Sequence, residues 1–166
     1  MTQNPAMTDA ALPSISRVLV ATDRSETASR AVAWAAELAR RFEAELFVLQ
    51  VIVPGLEPGP HESAQVSYAA KDLEMYAEEL AGPRGKSKVV VDEDPSAAIV
   101  EAAEEEAADV VVVGNAGMSG RKEFLLGNVP NRVSHNARCT VIIVNSTNLP
   151  PEEPRGRLDR LFRRDT

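Results

Sequence analysis

Val18-Leu19-Val20-Ala21-Thr22-Asp23-Arg24-Ser25 joins four apolar residues directly to four polar or charged ones. A short unbroken apolar run closed by such residues reads as a strand buried on both faces, as in a parallel sheet. The chain then turns at once into a helix. Asp23 or Ser25 serves as its N-cap, and Glu26 stands three residues after Asp23 as in a capping box. Ala28, Ala31, Val32, Ala35, Leu38, Ala39 and Phe42 follow at spacings of three and four, one face of that helix. Trp34 and Phe42 read as packing residues on or near it.

Working outward, the unit repeats. Leu46 to Ile52 is a second strand, and a loop from Pro54 to Pro60 follows it. Val66, Ala69, Ala70, Leu73, Ala77 and Leu80 mark an amphipathic helix that Gly82-Pro83 stops. Val89-Val90-Val91 is a third strand. Asp94-Pro95 is an N-cap with proline in the first helical position, opening a helix that buries Ile99, Ala103 and Ala107. Val110 to Val113 is a fourth strand. A glycine-bearing loop from Gly114 to Gly127 leads to a short helix with Val129, Val133 and Ala137 on one face. Pro130 is tolerated in its first turn, where no intrahelical N–H bond is expected. Val141 to Val144 is the fifth strand. The order β-α-β-α-β-α-β-α-β, with right-handed crossovers, gives an α/β doubly wound parallel sheet of five strands. Ligands of such sheets sit beyond the carboxyl ends of the strands, where the strand order reverses. Two ends matter: Thr22-Asp23 after strand one, and Gly114 onward after strand four.

The 166 residues suit one domain, and an apolar fraction of 44% is enough for a core. With only 4% aromatic residues, that core must be aliphatic. A net charge of −7 argues against nucleic acid as the main partner, since phosphate binding needs a basic surface. Met1 to Pro13 lacks the pattern of a secretory signal, no apolar run is long enough for a membrane span, and Cys139 is the only cysteine. The expectation is a cytoplasmic protein. Residues 1–15 read as a disordered N-terminal arm, 16–146 as the domain and 147–166 as a Pro/Arg-rich tail.

The loop Gly114-Asn115-Ala116-Gly117, nine further residues, then Gly127-Asn128, can bring backbone N–H groups close to phosphates, next to a helix N-terminus. It joins three other segments: Val18 to Ser25, Asp94-Pro95-Ser96-Ala97-Ala98-Ile99 and Ala108-Asp109-Val110-Val111-Val112-Val113-Gly114. On these residues the chain, from about Arg17 to Asn145, resembles the universal stress protein family. The resemblance implies a Rossmann-like, HUP-type sheet of strand order 3-2-1-4-5 with helices on both faces. It also implies a homodimer, and the fifth strand, Thr140 to Asn145, is the apolar sheet edge that a second copy would cover.

The resemblance further implies a family mode of ATP binding, with Mg. Asp23 would lie near the ribose, Ala21 and Thr22 would flank the base, and Val51 would offer backbone contacts to adenine. Gly114, Gly117 and Gly127 would shape the phosphate loop, closed by Asn128 and Val129. ATP-binding members carry Ser or Thr where this chain has Asn128, which offers an amide donor instead. Two positions on, Pro130 supplies neither a hydroxyl nor an N–H. Lys122 or Arg121 can compensate electrostatically.

Other residues carry blander readings. Asp23 reads equally well as no more than a helix cap. His61 and His135 show no metal-pair spacing and read as surface or packing residues. Cys139, four residues after His135, reads as a buried small thiol, with nothing to orient a Cys-His pair. Glu104-Glu105-Glu106 is a solvated helix face. Arg155 to Arg164 holds five arginines and Asp159, with Leu158, Leu161 and Phe162 at helical spacing. That segment is either a disordered solubilising terminus or a docking segment for an acidic partner or a membrane surface. Two functional readings stand open: a stress regulator that binds an adenine nucleotide without substantial turnover, and a dimeric interaction module whose loop no longer binds one. An enzyme ranks third, because no general base is paired with a nucleophile.

Overall fold

The computed structural model describes residues 13–55, 62–115 and 128–145. Five strands alternate with helices. β1 (Arg17–Ala21), α1 (Glu26–Phe42), β2 (Glu45–Ile52), α2 (Glu62–Ala81), β3 (Gly85–Val91) and α3 (Pro95–Glu105) come first; β4 (Val110–Gly114), α4 (Val129–Asn136) and β5 (Thr140–Val144) follow. The sheet order is β3-β2-β1-β4-β5, and every neighbouring pair is parallel. This is the Rossmann-like, HUP-type arrangement expected from the sequence.

Side-chain alternation sorts the apolar runs onto two faces. Val18, Val20, Leu46, Val48, Val110 and Val112 point to the face covered by α1 and α2, where Ala31, Val32, Ala35, Leu73 and Ala77 meet them. Leu19, Phe47, Leu49, Val111 and Val113 point the other way, against Ile99, Ala102 and Ala103 of α3 and Val133 of α4. Burial on both faces is why β1, β2 and β4 show no polar alternation. Alanines along α1 let the helix lie close over β1 and β4.

β3 starts four residues earlier than the apolar triplet Val89-Val90-Val91 indicates. Its first residues, Gly85-Lys86-Ser87-Lys88, belong to an edge strand and stay partly open, so they need no apolar run. Gly85 is fixed by packing: a Cβ there would lie 2.0 Å from the Ala77 carbonyl oxygen of α2.

At the amino pole of the sheet, Asp109 holds the start of β1. Its Oδ2 accepts from the Ser16 N–H (2.7 Å) and the Arg17 N–H (2.9 Å). Arg17 in turn donates to the Glu45 carboxylate and the Glu106 carbonyl. The three-glutamate run therefore does more than face solvent. Glu104 pairs with Arg138, Glu105 with Lys88 and Glu106 with Arg17, each on a different part of the fold. Trp34 departs further from its packing role: at 58% exposure it lies on the outer side of α1, and Phe42 is 49% exposed at its end.

Candidate functional site

Because each strand is followed by a helix, the helix N-termini gather at the carboxyl edge of the sheet, where their partial positive charge favours anions. The strand order reverses between β1 and β4, and the crevice lies beyond their ends.

On the β1 side, Ala21 is the last paired residue, in register with Leu49. Thr22 is buried, and its N–H donates to the Leu49 carbonyl (2.9 Å). Its Oγ1 accepts from the Arg24 N–H (3.0 Å), and Asp23 Oδ1 accepts from the Ser25 N–H (2.9 Å) and from the Ser25 hydroxyl. Ser25 caps α1 by accepting from the Ala28 N–H (3.2 Å). Asp23 is therefore not the N-cap, and Glu26, the first residue of α1, is not at the third helical position that a capping box requires. Its carboxylate orders the cap residue from one step back.

Arg24 adopts φ +64°, left-handed backbone that disfavours a side chain. Two contacts to α2 accompany it: Nη2 donates to Asp72 Oδ2 (3.1 Å), and the guanidinium carbon lies 3.8 Å from the centroid of the Tyr76 ring.

Val51 pairs with Val90 of β3. It has the parity of Leu49, so its peptide N–H and C=O point to the β1 side of β2. There they lie two residues past the last β1 pair, at the crevice.

On the β4 side, Gly114 pairs with Val144, and the Asn115 N–H donates to the Val144 carbonyl (2.9 Å). Gly117 and Gly127, with Arg121 and Lys122, lie outside the described residues. Asn128 is the N-cap of α4, with its Oδ1 accepting from the Asn131 N–H (3.2 Å). That leaves the amide Nδ2 as the end able to donate to a ligand. Val129 and Pro130 occupy the first turn.

One residue at this edge had no sequence reading. Arg132, in the first turn of α4, pairs through both terminal nitrogens with Asp94, the N-cap of α3 (3.0 and 2.6 Å). The Arg132 guanidinium, with Ser96 and the Ala97 N–H, holds the Asp94 carboxyl well below the usual carboxylate range. A basic residue in a helix's first turn runs against the helix dipole, and that was the available signal that it serves another element.

The remaining candidates stay apart. His135 is exposed on α4, and His61 lies outside the described residues. Cys139 is half-buried against the α3–α4 core, and burial pushes its thiol up, away from the reactive thiolate. Among the described residues, no group of three His, Cys, Asp or Glu side chains could hold a metal ion, and no helix is long and apolar enough to cross a membrane.

Residues 14–145 match the model of the universal stress protein family. The chain belongs to that family. A universal stress protein of Mycobacterium tuberculosis is 36% identical over 141 residues, which is 78% of this chain and 96% of its own length. Another, from Methanocaldococcus jannaschii, is 30% identical over 140 residues, 77% of this chain and 81% of its own. Among solved structures, a universal stress protein in complex with cAMP superposes with a TM-score of 0.62 at 29% identity, covering 81% of this chain and all of its own. Universal stress proteins are regulatory rather than catalytic.

Proposed function

We propose that this universal stress protein is a cytoplasmic regulator that binds an adenine nucleotide, ATP with Mg, in the crevice between the ends of β1 and β4, without substantial turnover. The observation that carries the reading is the edge of Val51: a peptide donor and acceptor held side by side past the end of β1, matched to the amino and ring-nitrogen pattern of adenine. Ala21 and Thr22 flank that position, Asp23 stands toward the ribose, and Gly114, Asn128 and Val129 lie at the phosphate end; the parts the family resemblance gives to Gly117 and Gly127 fall outside the described residues. The cAMP complex of a family member of 29% identity supports an adenine ligand. Mg would arrive on the phosphates.

A second reading is a dimeric interaction module without nucleotide. Pro130 favours it, because in the first turn of α4 it offers neither an N–H nor a hydroxyl to a phosphate. In either reading a second copy covers β5, where Ile143 is 46% exposed on an edge strand, and the Arg-rich tail seeks an acidic protein surface.

Thermal midpoints with and without Mg-ATP, and with cAMP, separate the two, because a ligand of the folded state must raise the midpoint. A rise in the parent protein that is lost in Val51→Pro or Asp23→Ala supports the nucleotide reading. A rise in Asn128→Ser alone makes the parent an interaction module. No rise in either removes the nucleotide.

A further inference from the structure

The outer face of α2 has a composition that neither the core nor the crevice requires. Tyr68, Asp72, Met75 and Glu79 follow one another at spacings of four, three and four, so they form one stripe along the helix. Tyr68 is 78% and Met75 63% exposed, two large apolar side chains open to water on a helix whose inner face is already buried through Leu73 and Ala77. A groove of about 460 Å³ runs beside the stripe, lined by Arg24, Asp72, Met75, Tyr76, Glu78 and Glu79. Its one cation, Arg24, is neutralised by Asp72, so Glu78 and Glu79 give the groove its sign. Over its whole length α2 carries five acidic residues against Lys71, net −4.

The same chain holds a segment of opposite character. Arg155 to Arg164 has five arginines against Asp159, net +4, with Leu158, Leu161 and Phe162 at helical spacing. We infer that this C-terminal segment docks on the Tyr68–Glu79 face of α2 in its own chain, with its leucines and phenylalanine on Tyr68 and Met75 and its arginines on Glu78 and Glu79.

The chain is long enough to do this. β5 ends at Val144 on one edge of the sheet, and α2 packs over β2 and β3 on the other side. Four strand spacings, about 19 Å, separate β5 from β3. The nine residues 146–154 span up to roughly 30 Å when extended. The tail thus reaches α2 across α1 with length to spare. Arg24 ties the groove to the crevice, because the same residue touches Asp72 and Tyr76 on one side and follows Asp23 on the other. The docking is independent of whether a nucleotide binds.

The test uses the full chain. Amide NMR spectra are compared between the parent protein and a variant with Arg160→Glu, Arg163→Glu and Arg164→Glu. Docking predicts amide shifts concentrated on Asp72 to Glu79 and on Arg24, reproduced in the parent by about 0.5 M salt, which shortens the Debye length to about 4 Å. It also predicts that Glu78→Arg with Glu79→Arg, added to the tail variant, restores the parent pattern along the rest of the stripe. Shifts confined to the tail, or centred on another face, overturn the inference. So does a pattern that disappears on dilution, which would place the contact between copies.

Discussion

Arg132 and Asp94 face each other as a two-pronged ion pair, Nη1 to Oδ1 at 3.0 Å and Nη2 to Oδ2 at 2.6 Å. The pair joins the first turn of α4 to the N-cap of α3 and so fixes the last helix beside the crevice. Asp94 does two jobs, since the same carboxylate also caps α3 through the Ser96 and Ala97 N–H groups (3.1 and 3.2 Å). Asp94→Ala therefore costs more than Arg132→Ala: about 1–2 kcal/mol, against 1 kcal/mol or less for a half-exposed pair, as read from urea midpoints. Asp94→Asn keeps the cap and should match Arg132→Ala. The native carboxyl titrates below its unfolded value near 3.8. Between those two values the unfolded state binds more protons, so this contribution is complete above about pH 5 and fades as the pH falls below 4. Arg132→Ala should flatten that acid limb of the stability–pH curve.

Ser25 and Asp23 are separable by substitution. Ser25→Ala removes the hydroxyl that accepts from Ala28 and should cost about 1 kcal/mol in urea unfolding. Asp23→Ala leaves the cap residue in place and should cost less. On the nucleotide reading the order inverts for binding: Asp23→Ala loses the ligand-induced rise in thermal midpoint, and Ser25→Ala keeps it.

At Arg24, backbone and side chain pull in opposite directions. The φ of +64° favours glycine, whereas the side chain gains Asp72 and Tyr76. Arg24→Ala loses both contacts and keeps the strain. Arg24→Gly loses the contacts and relieves it. Thermal or urea unfolding should therefore rank Arg24→Gly above Arg24→Ala by about 1 kcal/mol.

Gly85→Ala should be among the most damaging single-methyl changes in the fold. The added Cβ would fall 2.0 Å from the Ala77 carbonyl oxygen and 2.5 Å from its carbon, backbone that cannot rotate away. A loss of about 3 kcal/mol or more is expected, measured as a fall in urea midpoint with unchanged slope. A neutral result would mean that α2 can lift from β3 without cost.

Strands buried on both faces were the most legible part of the chain. Val18–Ala21, Leu46–Ile52 and Val110–Val113 have to be apolar throughout, so they announce themselves. β3 was read only from Val89 because its earlier residues, at the sheet edge, are under no such demand. Helix periodicity located α1 and left Trp34 off its apolar face; the packing reading of Trp34 rested on hydrophobicity, which reports what a residue prefers and not which side of the helix it occupies. At the site, the ends of β1 and β4 were legible as loops following strands. The choice of Ser25 over Asp23 as cap, the capping of α4 by Asn128 and the pairing of Arg132 were not, because a cap or an ion pair depends on a geometry of a few tenths of an ångström that composition does not carry.

By itself, the sequence determined the element order, the parallel doubly wound architecture and the family, because these follow from periodicity, from chain punctuation by Asp94-Pro95 and Gly82-Pro83, and from short motifs. Only the tertiary structure decided which partners meet. It set β1 against both β2 and β4, turned the Val51 peptide edge toward the crevice, brought Arg132 to Asp94 from 38 residues away, and left Tyr68 and Met75 facing water. The physical reason is that local pattern fixes the conformation of a segment, while contacts distant in sequence are set by how the segments pack together.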